Sequence, residues 1–517
     1  MRPVVIVVML AVTGSGCESD PESRAVVDGR PPGPGGTNSQ EDAGGSPRDA
    51  ASDALRGEDG SRADGASGSD AGRGSDATVA ADGGTIPGAG KVVYVAPAPG
   101  GSDSNVGSLA SPWATFQHAF SQMSAGDTLV VRNGTYDQDV GEWQWSGGQQ
   151  MATSAPPSGT SSARTYLHGE TVGGVVVHGL LQVVGWQYAT IENLSFVPES
   201  GTDSSLVTGG AAHVEIKRCG FKRGIDTSGA SYILKEDVWA WGANRYVISN
   251  YDANHIVDHR VIARLDDLGS PPSLPVGAIS QYLTDYSVIA HGLFFDVTGT
   301  FSQPYSLVYS SRPAIGVNKL YGIIGFNAGS QLGGIYPGDG GGSGHEINNS
   351  VVWGTKSYGV AFNSPGPNQL LRSTIAGNTV ALTGQNNITV NDNIFDSNAG
   401  GFTAGVSSCA NNLVRASGSL GGCTNTDTTT VAQFRDLPRS PIPGKGATVE
   451  TRYTVALSGN QYAVSETNDK LWPWPYEDVI KRDMCAETSY GWCGTNKSLT
   501  RYVWEFLGSA CPLDVCP

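Results

Sequence analysis

Side chains able to move protons or hold an anion crowd into one stretch of this chain. Lys235-Glu236-Asp237 is followed by Arg245-Tyr246, His255, Asp258-His259-Arg260, Arg264, Asp285-Tyr286 and His291. Lys, His and Tyr exchange protons in catalysis once their surroundings tune them, and the planar fork of Arg grips carboxylates. The plainer expectation for such residues is a row of ion pairs on an outer face. Other chemistries lack their patterns. No Cys-x-x-Cys or His/Cys cluster suggests zinc. The glycine run Gly338–Gly344 has no strand–helix setting for a phosphate cradle.

Positioning these groups requires a repeat. From residue 190 a short apolar unit recurs, closing at Leu194, Cys219, Val238, Val261, Leu293, Ile324, Val351, Ile375, Ile394 and Leu413. β-Branched runs about 20–30 residues apart without helical periodicity predict a solenoid of β coils, each burying its apolar residues only against its neighbours. This register puts Lys217, Glu236, His259 and His291 in one column, with Lys235 and Asp258 side by side in the next. Residues on adjacent coils then stand about 4.8 Å apart. Asn349-Ser350, Ser373-Thr374, Asn393 and Asn411-Asn412 are expected to form hydrogen-bonded ladders through the bends. The two longest intervals predict loops around Asp266–Ser280 and Thr298–Pro313.

The segment before the repeat carries Val93-Tyr94-Val95-Ala96-Pro97, Gly101-Ser102-Asp103-Ser104-Asn105, Ser111-Pro112-Trp113-Ala114-Thr115-Phe116, Ala125-Gly126-Asp127-Thr128-Leu129-Val130-Val131 and Asn133-Gly134-Thr135-Tyr136. It resembles the opening of bacterial right-handed parallel β-helix proteins of the pectin-lyase-like superfamily, over roughly residues 92 to 420. The fold class implied is all-β: a right-handed parallel β-helix solenoid with an N-terminal capping helix and a disulfide-containing C-terminal cap. Ser111 is placed as the cap of that helix and Pro112 as its first residue, with Phe116, Phe120 and Met123 on its buried face.

The resemblance implies an acidic polysaccharide as partner and β-elimination at a uronic acid as reaction. Lys235 is then the base, Arg260 or Arg264 the carboxylate clamp, and Tyr246 or His259 the acid. Arg245, Tyr286 and His291 contact substrate, and Glu236, Asp237 and Asp258 hold Ca²⁺ if a metal takes part. The Arg-x-x-Pro-x-x-Arg pattern of the main pectate lyase family is absent, and the paired-Asp hydrolase pattern is incomplete at Asp266-Asp267. A non-catalytic glycan-binding or structural β-helix is the alternative, and a glycoside hydrolase on this fold is disfavoured.

The remainder bears on location. Met1 to Thr13 reads as a secretory signal, with Arg2 before the apolar run Val4–Val12, and Cys17 resembles a lipoprotein acylation site. Residues 18–90 hold 14 acidic and 6 basic side chains and no Phe, Trp or Tyr, which predicts a self-repelling tether. The β-helix is expected over 91–430 and a capping region over 431–517. Six late cysteines fall into close pairs, Cys409/Cys423, Cys485/Cys493 and Cys511/Cys516, as suits an oxidising compartment. Cys219 reads as a buried small hydrophobe. Trp472 and Trp474 read as part of the cap more than as a sugar platform, beside a helix over Ser498–Leu507. A net charge of −16 excludes a nucleic-acid groove. The expected protein is an exported monomer, extracellular or in the cell envelope, meeting a membrane only through an N-terminal lipid.

Overall fold

The structure is a computed structural model that describes residues 90–146, 149–199, 204–242, 246–265, 277–297, 306–311, 316–328, 333–338, 344–420, 426–427, 440 and 442–516. The signal, Cys17 and the tether lie outside the described residues, as do Arg245, Cys423, Asp266-Asp267 and most of both predicted loops. Gly277–Tyr282 and Ser306–Ser311, at the ends of those loop intervals, are strands.

Among the described residues 31 strands join through parallel pairings into one continuous right-handed coil. Each turn contributes to three faces. Sheet I contains Leu206–Thr208, Ile225–Ser228, Tyr246–Tyr251 and Gly277–Tyr282 on successive coils. Sheet II runs through Ala189–Glu192, Glu215–Lys217 and the first half of Ser231–Gly242. Sheet III runs through Leu194–Phe196, Gly220–Lys222 and that strand's second half.

The corner between sheets II and III is one residue in the left-handed conformation. Asn193, Arg218, Asp237, Arg260 and His291 hold it on successive coils, with φ of 66°, 52°, 54°, 52° and 61°. Each non-glycine residue there costs about 1–2 kcal/mol. Hydrogen bonds between coils offset it: the Asn193 N–H donates to the Lys217 carbonyl at 3.1 Å, and the Arg218 N–H to that of Glu236 at 2.9 Å. The predicted ladder forms inside the next segment. Ser350 N–H donates to Ser373 Oγ (3.2 Å), Ser373 N–H to Asn393 Oδ1 (2.8 Å) and Asn393 N–H to Asn412 Oδ1 (3.0 Å). Asn349 and Asn411 stand at the corner outside it.

The observed register departs from the sequence alignment by one residue at two points, before Leu293 and at Ile375, where Val351 pairs with Thr374 instead. Val261 pairs with Gly292 and Ile262 with Leu293, so Ala290 lies beside His259 and His291 takes the corner next to Arg260. Because side chains alternate across a strand, a slip of one exchanges the two faces. Leu293, Ile324 and Val351 therefore face outward, where the C-terminal region covers them.

At the N-terminal end, helix α1 (Phe116–Gln122) plugs the coil with Phe116 and Phe120 buried beside Met123. Its cap is Thr115, whose hydroxyl accepts from the His118 N–H at 3.2 Å, so Ser111 and Pro112 precede the helix by one turn. The C-terminal cap is applied to the flank of the solenoid. Trp472, Trp474, Trp492 and Trp504 pack onto the outer face of sheet III at Trp239, Ile262, Leu293 and Ile324. Helix α2 (Glu477–Met484) supplies Asp483, which accepts from Ser195 Oγ at 2.7 Å and Trp239 Nε1 at 3.0 Å. Helix α3 (Leu499–Phe506) is capped by Ser498, and its Tyr502 hydroxyl donates to Asp296 at 2.8 Å. Cys485–Cys493 and Cys511–Cys516 are disulfides of this cap. Cys409 is also disulfide-bonded, and Cys219 is free and buried.

Candidate functional site

Strand alternation decides where each charged group goes. The inward column of sheet II reads Leu167, Ile191, Ile216, Lys235, Asp258, Ile289, Leu320 and Ile347. Lys235 and Asp258 thus replace two rungs of an apolar stack, and both are fully buried. Lys235 Nζ lies 3.0 Å from Asp258 Oδ1 and donates to Asn250 Oδ1 at 2.8 Å, while Asn250 Nδ2 donates to Asp258 Oδ2 at 2.8 Å. Burial pushes the Lys235 ammonium down and Asp258 pulls against it. This pair is sealed in the core, so Lys235 cannot reach a sugar C5 proton, nor Asp258 a solvent-borne Ca²⁺.

Their sequence neighbours form an outward network. Arg260 donates to both carboxylate oxygens of Asp237, at 2.6 and 2.7 Å, and to Glu236 Oε1 at 3.2 Å. His259 Nδ1 meets the same Glu236 oxygen at 3.2 Å. The hydrogen bond from His259, reinforced by the Arg260 charge, holds the Glu236 carboxyl down at about 2. Burial pushes the Arg260 guanidinium down, but its bonds to Asp237 prevail and raise it. With Glu236 and Asp237 occupied by Arg260 and His259, and Asp258 inside, the three carboxylates do not converge on a Ca²⁺ site. No cluster of three or more His, Cys, Asp or Glu suited to a metal occurs among the described residues.

The remaining expected residues disperse. Arg264 is fully buried under the cap, donating to the Met484 carbonyl at 3.0 Å and touching Cys493 Sγ; its role is to seat the cap, not to clamp substrate. Tyr246 is buried and stacks on Tyr309 at 6.1 Å in sheet I, away from His259 in sheet II. His291 is fully buried; its Nε2 accepts the Tyr453 N–H at 3.0 Å, and burial with the His259 and Arg260 charges holds it well below the usual range. Tyr286 ends a five-ring stack along one corner: Tyr188, His213, Tyr232, His255 and Tyr286, with centroids 4.4–4.9 Å apart. These rings cover one another's faces, and His255 is itself buried, with Tyr462 edge-on against it. Trp472 and Trp474 are buried in the cap.

Beyond Lys217, which the sequence register already placed in the charged column, two groups escaped sequence reasoning. One extends the outward network toward the N-terminus. His168 Nδ1 meets Glu192 at 2.7 Å, Arg218 bonds Glu192 and Asn193, and Lys217 pairs with Glu215 at 2.7 Å. Burial pushes the Glu192 carboxyl up, but His168 and Arg218 hold it below the carboxylate range. Lys217 and Arg218 keep about a quarter of their side chains exposed. The phenol of Tyr476, from the cap, feels the charges of Arg218, Asp237, Arg260 and Glu192. The other group is a tyrosine row joining Tyr251, Tyr282, Tyr309, Tyr336 and Tyr358 at 5.5–5.9 Å along sheet I. Its sequence signal is the spacing of these tyrosines at 31, 27, 27 and 22 residues, each about one coil.

No protein-family model matches this sequence, and no curated protein matches it. Solved structures do. The pectate lyase Pel9A is 13% identical, covering 74% of this chain and 91% of its own, with a TM-score of 0.32. The alginate lyase AlyGC is 13% identical, covering 69% of this chain and 56% of its own, with a TM-score of 0.37. A rhamnogalacturonan lyase is 15% identical, covering 69% of this chain and 95% of its own, with a TM-score of 0.30. By its own strand pairings this chain is a parallel β-helix, and the proteins it is similar to in fold include polysaccharide lyases.

Proposed function

We propose that this protein is an exported β-helix that recognises an acidic, uronate-containing polysaccharide along the outer face of sheet II, without cleaving it. One observation carries the reading: Lys217 and Arg218 present cationic heads to solvent, yet the ladder's Lys and Arg side chains, from Lys217 to Arg260, are ion-paired to protein carboxylates. Such a ladder exchanges one carboxylate for another as a polymer arrives, and successive coils repeat the offer at about 4.8 Å. A lyase instead needs an uncommitted base beside a neutralised sugar carboxylate. The cap disulfides accord with an oxidising compartment. Acylation of Cys17 would hold the monomer at an envelope surface through its tether.

The test uses the full chain on immobilised polygalacturonate, alginate and hyaluronan. Binding to one of them is expected, weakened by salt and by replacing Lys217 and Arg218 with alanine. No ultraviolet absorbance from a C4–C5 double bond is expected. Growth of that absorbance, abolished by Lys217→Ala, would establish the second reading, β-elimination with Lys217 as base and Arg218 as clamp. What favours that alternative is the exposure of these two adjacent cations on one rung.

A further inference from the structure

A two-stranded hairpin stands outside the solenoid, pairing Glu142–Ser146 with Gln149–Ser154 in antiparallel register. It carries two tryptophans on one face. Trp143 lies opposite Ala152 and Trp145 opposite Gln150. The two indoles meet edge to face, with centroids 5.7 Å apart and planes at 76°. Trp145 is 67% exposed and Trp143 partly so. A tryptophan left in water forgoes roughly 2 kcal/mol or more of burial, so two on one protruding strand need a reason beyond packing.

The surroundings are uncharged and amide-rich. Residues 142–154 contain one charged side chain, Glu142, and three glutamines, Gln144, Gln149 and Gln150. The solenoid beside the hairpin is bare. A Cβ on Gly209 would fall 1.9 Å from Gln150 Oε1, so this amide sits directly against the backbone of the coil. Gly185, Gly210 and Gly229, on the corners of three successive coils, each have open space where a side chain would stand.

We propose that the Trp143/Trp145 face of this hairpin is a binding site for an uncharged glycan. Indole faces take the C–H side of a pyranose, and Gln150, on the same face opposite Trp145, exchanges hydrogen bonds with hydroxyls. Ala152 leaves a shallow floor between the rings. Charge selects the ligand class: no cation lies on the hairpin to attract uronates or anionic lipid headgroups. The site is separate from the sheet II ladder and does not rest on the function assigned to it.

The test measures binding of the full chain to cellohexaose, laminarihexaose and mannohexaose, with polygalacturonate and anionic phospholipid vesicles as the other arms. At least one neutral hexaose is expected to bind with little dependence on salt. Trp145→Ala should weaken it at least about tenfold, Trp145→Phe should retain most of it, and the Lys217→Ala/Arg218→Ala variant should leave it unchanged. Absence of binding to all three neutral sugars, or binding indifferent to Trp145→Ala, overturns the proposal. So does vesicle adsorption that depends on Trp145 while the sugars are ignored. An unchanged thermal midpoint in Trp145→Ala separates lost recognition from lost folding.

Discussion

Lys235 and Glu236 are adjacent residues of one strand, and so are Asp258 and His259 on the next coil. The first of each pair points into the solenoid and the second out. Inside, Lys235 and Asp258 form a closed pair with Asn250 among isoleucines. Outside, Glu236 and His259 join a chain of partly exposed ion pairs with Arg260 and Asp237. Residue type is the same on both faces, and the consequence is opposite. A buried charge is held by its partner and does no business with solvent, whereas an outward one can trade its partner for a ligand.

Breaking the interior pair gives the largest expected effect. Lys235→Met alone leaves Asp258 charged and unpaired, which costs about 3–5 kcal/mol. The triple change Lys235→Met, Asp258→Leu, Asn250→Val removes the charged pair and its amide and continues the Ile216–Ile289 column, leaving only the Thr227 hydroxyl that Lys235 Nζ meets at 3.3 Å. Chemical denaturation should place the triple variant within about 1–2 kcal/mol of the parent and above Lys235→Met. A triple variant no better than Lys235→Met would show that the pair contributes more than mutual neutralisation.

The interior also responds to acid in its own window. His345 is fully buried, and burial pushes it down from 6.5 to about 4. Between those values the unfolded chain binds a proton that the folded chain refuses, so stability falls as pH falls from 6.5 toward 4. The full window is worth about 3 kcal/mol, and His291 adds in the same direction. His345→Asn should flatten this part of the curve of melting temperature against pH. His345 lies between Asn318 and Asn368 on neighbouring coils, so the amide has a place in the stack.

How much of this was legible follows from the period of each pattern. The coil repeat, the plug helix face and the Ser350–Ser373–Asn393–Asn412 ladder were readable because each coil repeats a residue type. The site was not readable because its answer depends on parity. The alignment already sets Lys235 beside Ile216, but Lys235 looks like any polar residue between apolar ones, and only the fold shows that the Ile216 column is the inward one. The one-residue slip before Leu293 came from Gly292, which fills the column position beside Val261 with no apolar side chain, so the apolar pattern selects the next residue. Arg264 was misread because the cap that buries it lies more than 200 residues away in sequence.

The outer ladder answers to a lower pH. Glu236 is held at about 2 against an ordinary 4.5, so its contribution is complete above 4.5 and is lost as pH falls toward 2. Glu236→Gln should remove that acid limb while leaving the His345 limb between 6.5 and 4 untouched. Arg260→Gln should cost about 1–3 kcal/mol, since it strips the two-fold hydrogen bond from Asp237, whose side chain is only 10% exposed.

The smallest stability effect belongs to the residue that matters most for the proposed function. Lys217 has one partner, Glu215, at 2.7 Å, and Arg164 lies 3.6 Å from that carboxylate's other oxygen. Lys217→Ala therefore leaves Glu215 a cation and should move the unfolding free energy by less than about 0.5 kcal/mol. Losing a solvent-facing cation should nevertheless weaken capture of a polyuronate and reduce its salt dependence. Replacing Arg164 as well would leave Glu215 bare and repel the polymer further. The contrast with Lys235 is then complete: one lysine governs folding and is silent in binding, the other governs binding and is silent in folding. A Lys217→Ala variant that unfolds early, or binds every polyuronate as the parent does, would move the ladder from recognition to architecture.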